Sequence, residues 1–419
     1  MASFIGWLDY SESERRQVQE MLQLFTEKGT VDDLGIGTLR DAISNRLFPG
    51  TSVIQTRARY FLFIPWIYQR AEEKHRSKLL AKADVMERKL IEGLRTAEDQ
   101  EGLIGRQAGK DVRTLPSAIY WTGLAAYDIF QQAPLTRAQY ARVAQVARVR
   151  VEQEDELADR SAGFWRPGIP EPPDGFFDFT AADFVMTREE AEWLTERVLS
   201  TEGRRGPNLL GDLVAQVRRV PEVPAGDFWA GTLPAGCAPE TRALVAHAER
   251  FSSAMQAAAL LYNLMLAEAR NDEDRGDLDY AADMRGALDE WADGARRAGT
   301  ADWAANPGDF MALITTRSRV PALTQRFVQD WCRILAANPL DRLANDAEAR
   351  ALVRAREQQH KRAQARFGNR ARLRSWQGDS GTARLEYRWS QVRRFLTDLA
   401  VGLHGAAPAP APEVTGAAH

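Results

Sequence analysis

Residues 241–270 constrain the fold more than any other stretch of this chain. Leu244, Ala248, Phe251, Met255, Ala258, Leu261, Leu264 and Met265 recur at three- and four-residue steps. A helix gathers such positions on one face, whereas a strand scatters them over two. The spacing predicts a long buried helix, and most of the remaining text has the same rhythm.

Ser11 or Ser13 caps a helix carrying Val18, Met21, Leu22 and Phe25, which Gly29 ends. Further helices are expected over residues 38–46, from residue 51 or 52 past Pro65, over 70–97 and over 115–130, where Pro116 and Ser117 suit a helix entry. Thr187-Arg188-Glu189-Glu190 is a capping-box pattern. Helices around 284–298, 303–315, 321–336 and 343–367 follow, and a last one from Ser390 carries Val392, Phe395, Leu396 and Leu399. Between these last two, residues 370–376 and 383–389 alternate around a Gln377-Gly378-Asp379-Ser380-Gly381 turn, the pattern of a β-hairpin.

Two stretches break the rhythm. Residues 163–180 are rich in Pro, Gly and aromatics, and 221–239 hold four prolines and three glycines. At 419 residues the chain is too long for one comfortable core. The expected architecture is mostly α and multi-helical: an N-terminal helical unit over 1–160, a connector at 161–182, a second helical unit over 183–404 with a small hairpin at about 370–389, and a disordered tail at 405–419.

A net charge of −3 hides strong segregation along the chain. Between positions 152 and 192 twelve acids face three arginines, whereas between 354 and 394 twelve basic residues face three acids. Only seven of the 55 basic residues are lysine, a bias that GC-rich codons produce unaided, so placement carries more information than abundance. Arg354, Arg362, Arg366 and Arg370 fall at multiples of four and draw a cationic stripe along a helix. In the expected hairpin Arg370, Arg372 and Arg374 share one face, and Arg384, Glu386 and Arg388 share another that the one acid interrupts, with Trp376 adjacent. Arginine forks beside an aromatic ring suit phosphate contact and base stacking.

Catalytic patterns fail on spacing or setting. The Gly109-Lys110 pair lacks the first glycine and the closing Ser/Thr of a phosphate loop, with Ile104 and Asp111 in those places. Asp84, Glu87 and Lys89 have nuclease residue types, but on a helix Glu87 and Lys89 diverge by about 200°. His360-Lys361 lacks the spacer and Asp of a phospholipase D-like nucleophile. Cys237 and Cys332 fit buried structural thiols, and Arg57 and Arg59 fit structural arginines tying helix ends. No cofactor or metal site is expected. No apolar run approaches the roughly 20 residues of a membrane span, the start MASFIGWLDYSESE lacks a secretion signal, and the expected compartment is the cytoplasm.

The blocks FIGWLDYS, LGIGTLRDAISNRLFPGTSVIQTRARYFLFIPWIY, LPSAIYW, LTERV, FSSAMQAAALLYNLMLAE and LEYRW resemble a bacterial family of unknown function. The resemblance spans most of the chain and implies no catalytic residue. It implies a loose association with phage-defence gene clusters that also encode helicase-like and phospholipase D-like proteins.

The expectation is therefore a non-catalytic subunit of a bacterial, anti-phage assembly with other protein components. It would engage nucleic acid through Arg362, Arg366, Arg370, Arg372, Arg374, Trp376, Arg384 and Arg388. The alternative is an interaction scaffold whose basic module pairs with acidic surfaces, and a third reading is a metal-dependent nuclease or hydrolase.

Overall fold

The computed structural model describes residues 32–151, 163–180, 182–226, 228–229, 233–274 and 280–405. The helix expected at 11–29, residues 152–162 at the start of the acidic run, and the tail from 406 lie outside the described residues.

In chain order the helices are α1 (Gly37–Leu47), α2 (Tyr60–His75), α3 (Leu79–Leu94), α4 (Pro116–Ala126), α5 (Arg137–Val151), α6 (Arg188–Leu199), α7 (Glu202–Arg205), α8 (Leu209–Arg219) and α9 (Pro239–Asp274). They continue as α10 (Tyr280–Arg297), α11 (Thr300–Ala304), α12 (Gly308–Thr315), α13 (Ala322–Ala337), α14 (Ala347–Lys361), α15 (Arg370–Arg374) and α16 (Trp389–His404). Among the described residues there is no sheet, and the isolated antiparallel bridge Phe130↔Trp165 is the one β pairing. The mostly α expectation holds, and the C-terminal hairpin does not form. Residues 370–374 are helical, and 375–388 run irregularly to α16.

The chain divides into two compact units that are discontinuous in sequence. One comprises 1–43 with 244–387, and the other 44–243 with 388–419. They are called here the long-helix unit and the aromatic unit.

In the aromatic unit, α2 is buried at every position from Tyr60 to Tyr68, as befits a helix that is apolar all round. Several of its rings meet those of later segments edge-on or tilted: Phe61 meets Tyr120 and Tyr127, Trp66 meets Phe176, and Tyr68 meets Trp121, while Phe63 stacks on Phe176. The Pro-rich stretch expected to separate two domains lines this core instead. Trp165, Phe176 and Phe179 are buried, and Trp66 Nε1 donates to the Pro170 carbonyl at 2.7 Å. Thr187 and Glu190 form the expected capping box on α6, which packs with α8 and α16. Arg57 and Arg59 are structural. Arg57 is ion-paired with Asp398 at 3.0 Å and Asp99 at 2.6 Å, and Arg59 with Glu190 at 2.8 Å and Asp183 at 2.6 Å.

In the long-helix unit, α9 realises the apolar rhythm over 36 residues. Its surroundings are fixed by ring donors as well as apolar contact. Trp331 Nε1 donates to the Ala254 carbonyl at 2.7 Å, Trp291 Nε1 to the Ser253 carbonyl at 2.9 Å, and the Tyr387 hydroxyl to the Ala248 carbonyl at 2.8 Å. Each polar tip is satisfied where its ring is buried.

Candidate nucleic-acid interface

The basic segment begins where α14 ends. Arg362 follows in the left-handed region, with φ 51, and opens a 3-10 turn at Arg362–Gln364. Arg366 then turns inward. Its Nη1 donates to Asp33 Oδ2 at 2.6 Å and to the Tyr262 hydroxyl at 2.8 Å, while its backbone N–H donates to Glu357 Oε1 at 2.6 Å. Lys361 and the Ser380 hydroxyl also contact Asp33. Asp33, Glu357 and Ser380 are all buried. Burial lowers the Lys361 pKa against the opposing pull of Asp33, and burial raises that of the Tyr262 phenol. The result is a polar clasp that fixes both ends of the 361–380 segment.

Between its ends the segment forms α15. The Asn369 side chain accepts from the Arg372 backbone N–H at 3.2 Å, and Leu373 supplies the one buried side chain of the helix. Trp376 closes it: its ring is 1% exposed, and Nε1 donates to Asn263 Oδ1 at 3.0 Å. Arg362, Arg370, Arg372 and Arg374 are exposed. So is Arg354, whose guanidinium lies 4.8 Å from the Phe367 ring centroid. No acidic residue occurs from position 358 to 378.

The eight residues singled out from the sequence thus separate into three sets. Arg362, Arg370, Arg372 and Arg374 are exposed along one anchored segment, with Arg372 on the opposite side of α15 from Arg370 and Arg374. Arg366 and Trp376 hold that segment from within. Arg384 stands 3.6 Å from Glu249, and Arg388, in the aromatic unit, donates to Asn45 Oδ1 at 2.8 Å and the Thr51 carbonyl at 2.6 Å. Sequence reasoning missed Asp33, Tyr262, Glu357 and Ser380. Only Asp33, in an Asp32-Asp33 pair just before Gly35, stood at a place where a turn could present a carboxylate.

Other chemistry-bearing side chains are placed as structure. Cys237 and Cys332 are buried free thiols, both pushed up to about 12 by burial, the reverse of what activates a nucleophile. Among the described residues no group of three or more His, Cys, Asp or Glu side chains comes together in a metal-ligand arrangement, and no helix is long and apolar enough to cross a membrane.

No curated protein and no solved structure matches the chain. A family model does, over residues 2–402, and it covers both compact units and the whole basic segment: the chain belongs to a family of unknown function, DUF6361.

Proposed function

We propose that this chain is a non-catalytic, nucleic-acid-binding subunit that engages phosphates through Arg362, Arg370, Arg372 and Arg374. One observation carries the reading: an acid-free segment presents four exposed arginines on a platform fixed at one end by the Arg366–Asp33 pair and at the other by the buried Trp376–Asn263 hydrogen bond. Arginine forks match phosphate oxygens bidentately, and a fixed platform avoids much of the ordering cost of binding. Arg366 and Trp376 act as anchors, and Arg384 and Arg388 fall outside the contact set. The wider reading, a bacterial anti-phage assembly with further protein subunits, is supported only by the family resemblance.

Fluorescence anisotropy with labelled duplex DNA, single-stranded DNA and RNA tests the contact set. Four phosphate contacts should give a log–log salt slope of about −3 to −4 on duplex DNA. Replacing all four arginines with Gln should abolish binding, whereas Arg384→Gln should leave the slope unchanged. An absence of binding at low ionic strength sinks the reading.

The scaffold alternative draws on a specific observation, since Arg366 and Arg384 already pair with carboxylates of their own chain. It would be favoured if the fourfold variant lost a co-purifying acidic protein while keeping its affinity for nucleic acid.

A further inference from the structure

The aromatic unit carries a second concentration of positive charge, built from other residues. Asp128 follows α4 in the left-handed region, with φ 59, and two arginines reach it. Arg166 Nη1 lies 2.5 Å from its carboxylate and Arg204 Nη1 3.2 Å. Arg166 is placed by its backbone N–H, which donates to the Ile129 carbonyl at 2.9 Å beside the Phe130↔Trp165 bridge. Arg204, on α7, also donates through Nη2 to the Ala126 carbonyl at the end of α4, at 3.2 Å.

A third arginine, Arg197 on α6, completes the group. Burial lowers its pKa, and Arg166 and Arg204 lower it further against the pull of Glu196 and Asp128. Glu196 is itself 3.9 Å from Arg218. Arg197 Nε and Nη1 are buried and donate to no acceptor among the described residues, and the guanidinium stands 6.0 Å from the Trp193 ring centroid. Arg166 and Arg204 thus share one carboxylate, Arg197 interacts electrostatically with both arginines and with Glu196 and Asp128, and positive charge exceeds negative at this spot. Side-chain exposures of 36% for Arg166 and 42% for Arg204 leave the group open to solvent.

Like charges held this close repel, and buried N–H groups without acceptors carry a desolvation penalty. An oxyanion relieves both. A phosphate monoester offers close to two negative charges and three acceptor oxygens, which suits three guanidinium forks with surplus positive charge; a carboxylate offers one charge and two oxygens. We propose that Arg166, Arg197 and Arg204 form a binding site for the terminal phosphate of a phosphomonoester, distinct in residues and unit from the basic segment after α14. The phosphate could belong to a free nucleotide or to the 5′ end of a nucleic-acid strand.

Thermal-shift and calorimetric titrations of the full chain with inorganic phosphate, against chloride at matched ionic strength, test this. The expected result is a saturable rise in Tm for the wild type. Arg197→Gln and Arg204→Gln should each abolish it. Asp128→Asn should tighten binding about fivefold, because it removes the competing charge while Asn tolerates the left-handed backbone. Replacement of Arg362, Arg370, Arg372 and Arg374 should leave phosphate binding intact, which separates this site from the interface proposed above. Competition by a nucleoside 5′-monophosphate alone assigns the site to free nucleotides, and competition by a 5′-phosphorylated but not a 5′-hydroxyl oligonucleotide assigns it to strand ends. The proposal is overturned if the wild type shows no saturable response to phosphate, or if the Arg197 and Arg204 variants respond as the wild type does.

Discussion

Glu87 sits fully buried on α3, facing the first turn of α4. Its Oε2 accepts from the Ser117 backbone N–H at 2.8 Å and its Oε1 from the Ser117 hydroxyl at 2.6 Å. Arg137 donates to the same hydroxyl at 2.7 Å and to the Tyr68 hydroxyl at 3.3 Å, and it lies 3.6 Å from Asp84. Burial pushes Glu87 up to about 7, over the opposing effects of Ser117 and Arg137 and with a small addition from Asp84. The folded state therefore holds this proton more tightly than the unfolded chain does. The associated stability is present below the unfolded value of about 4.3, is lost as pH rises to about 7, and is level above that. Glu87→Gln should remove a pH dependence worth roughly 3 kcal/mol between pH 5 and 8, read from urea midpoints of variant and wild type; an unchanged difference between those pH values would refute the assignment. The sequence correctly places Glu87 on a helix, where it diverges from the exposed Lys89. Its capping role was hidden because the partner, Ser117, is 30 residues away.

Glycines within helical text were equally illegible. A Cβ on Gly93 would lie 1.8 Å from the Phe179 carbonyl oxygen, whereas one on the exposed Gly286 of α10 would meet nothing within 4 Å. Gly93→Ala should cost about 1–3 kcal/mol or more through overpacking against backbone. Gly286→Ala should stabilise by roughly 0.5–1 kcal/mol. Thermal denaturation of both variants checks the pair, and equal effects would contradict the packing.

At the scale of the element, the instructive case is α15. Its text, Arg-Ala-Arg-Leu-Arg, alternates as a strand would, but five residues are too few for period to decide. The deciding features are the Asn369 cap, the single buried Leu373, and the Trp376 bond to Asn263, a partner 113 residues away. The long rhythm of α9 and the capping box of α6 were readable because each is local and repeated or paired within a few residues. The clasp around Asp33 was not, since it joins positions 33, 262, 357, 366 and 380. That clasp predicts opposite behaviour for two neighbouring arginines. Arg366→Gln removes a partner of a buried carboxylate that Lys361 still contacts, so its cost should lie near the low end of about 3–5 kcal/mol. Arg362→Gln, at an exposed position, should change stability by no more than about 0.5 kcal/mol while weakening nucleic-acid binding. Urea denaturation with anisotropy on both variants separates anchor from contact, and a destabilising Arg362→Gln would show that the division is drawn in the wrong place.

For the molecule as a whole, segregated charge and helical class were legible because both are additive along the chain. The discontinuity of the two units was not, because it depends on pairings with very large sequence separation. In the aromatic unit the decisive one is Arg57 with Asp398, 341 residues apart, where Asp398 also accepts from the Ala58 backbone N–H at 2.8 Å. Both side chains are at most 7% exposed, so loss of the acid leaves a buried guanidinium with only Asp99 and the Glu101 carbonyl. Asp398→Asn should therefore destabilise this unit by about 3–5 kcal/mol. Removal of residues 389–419 should go further, since it strips Val392, Leu396, Leu399 and Leu403 of α16 from the core they share with α6 and α8. Limited proteolysis followed by mass mapping reads where the damage falls. If the division at 43, 243 and 387 is also a division of cooperativity, early cleavages in the truncated chain concentrate within residues 44–243, and 244–387 stays protected. Equal cleavage of both ranges would mean that the chain unfolds as one cooperative body, and the final helix would then support the entire protein.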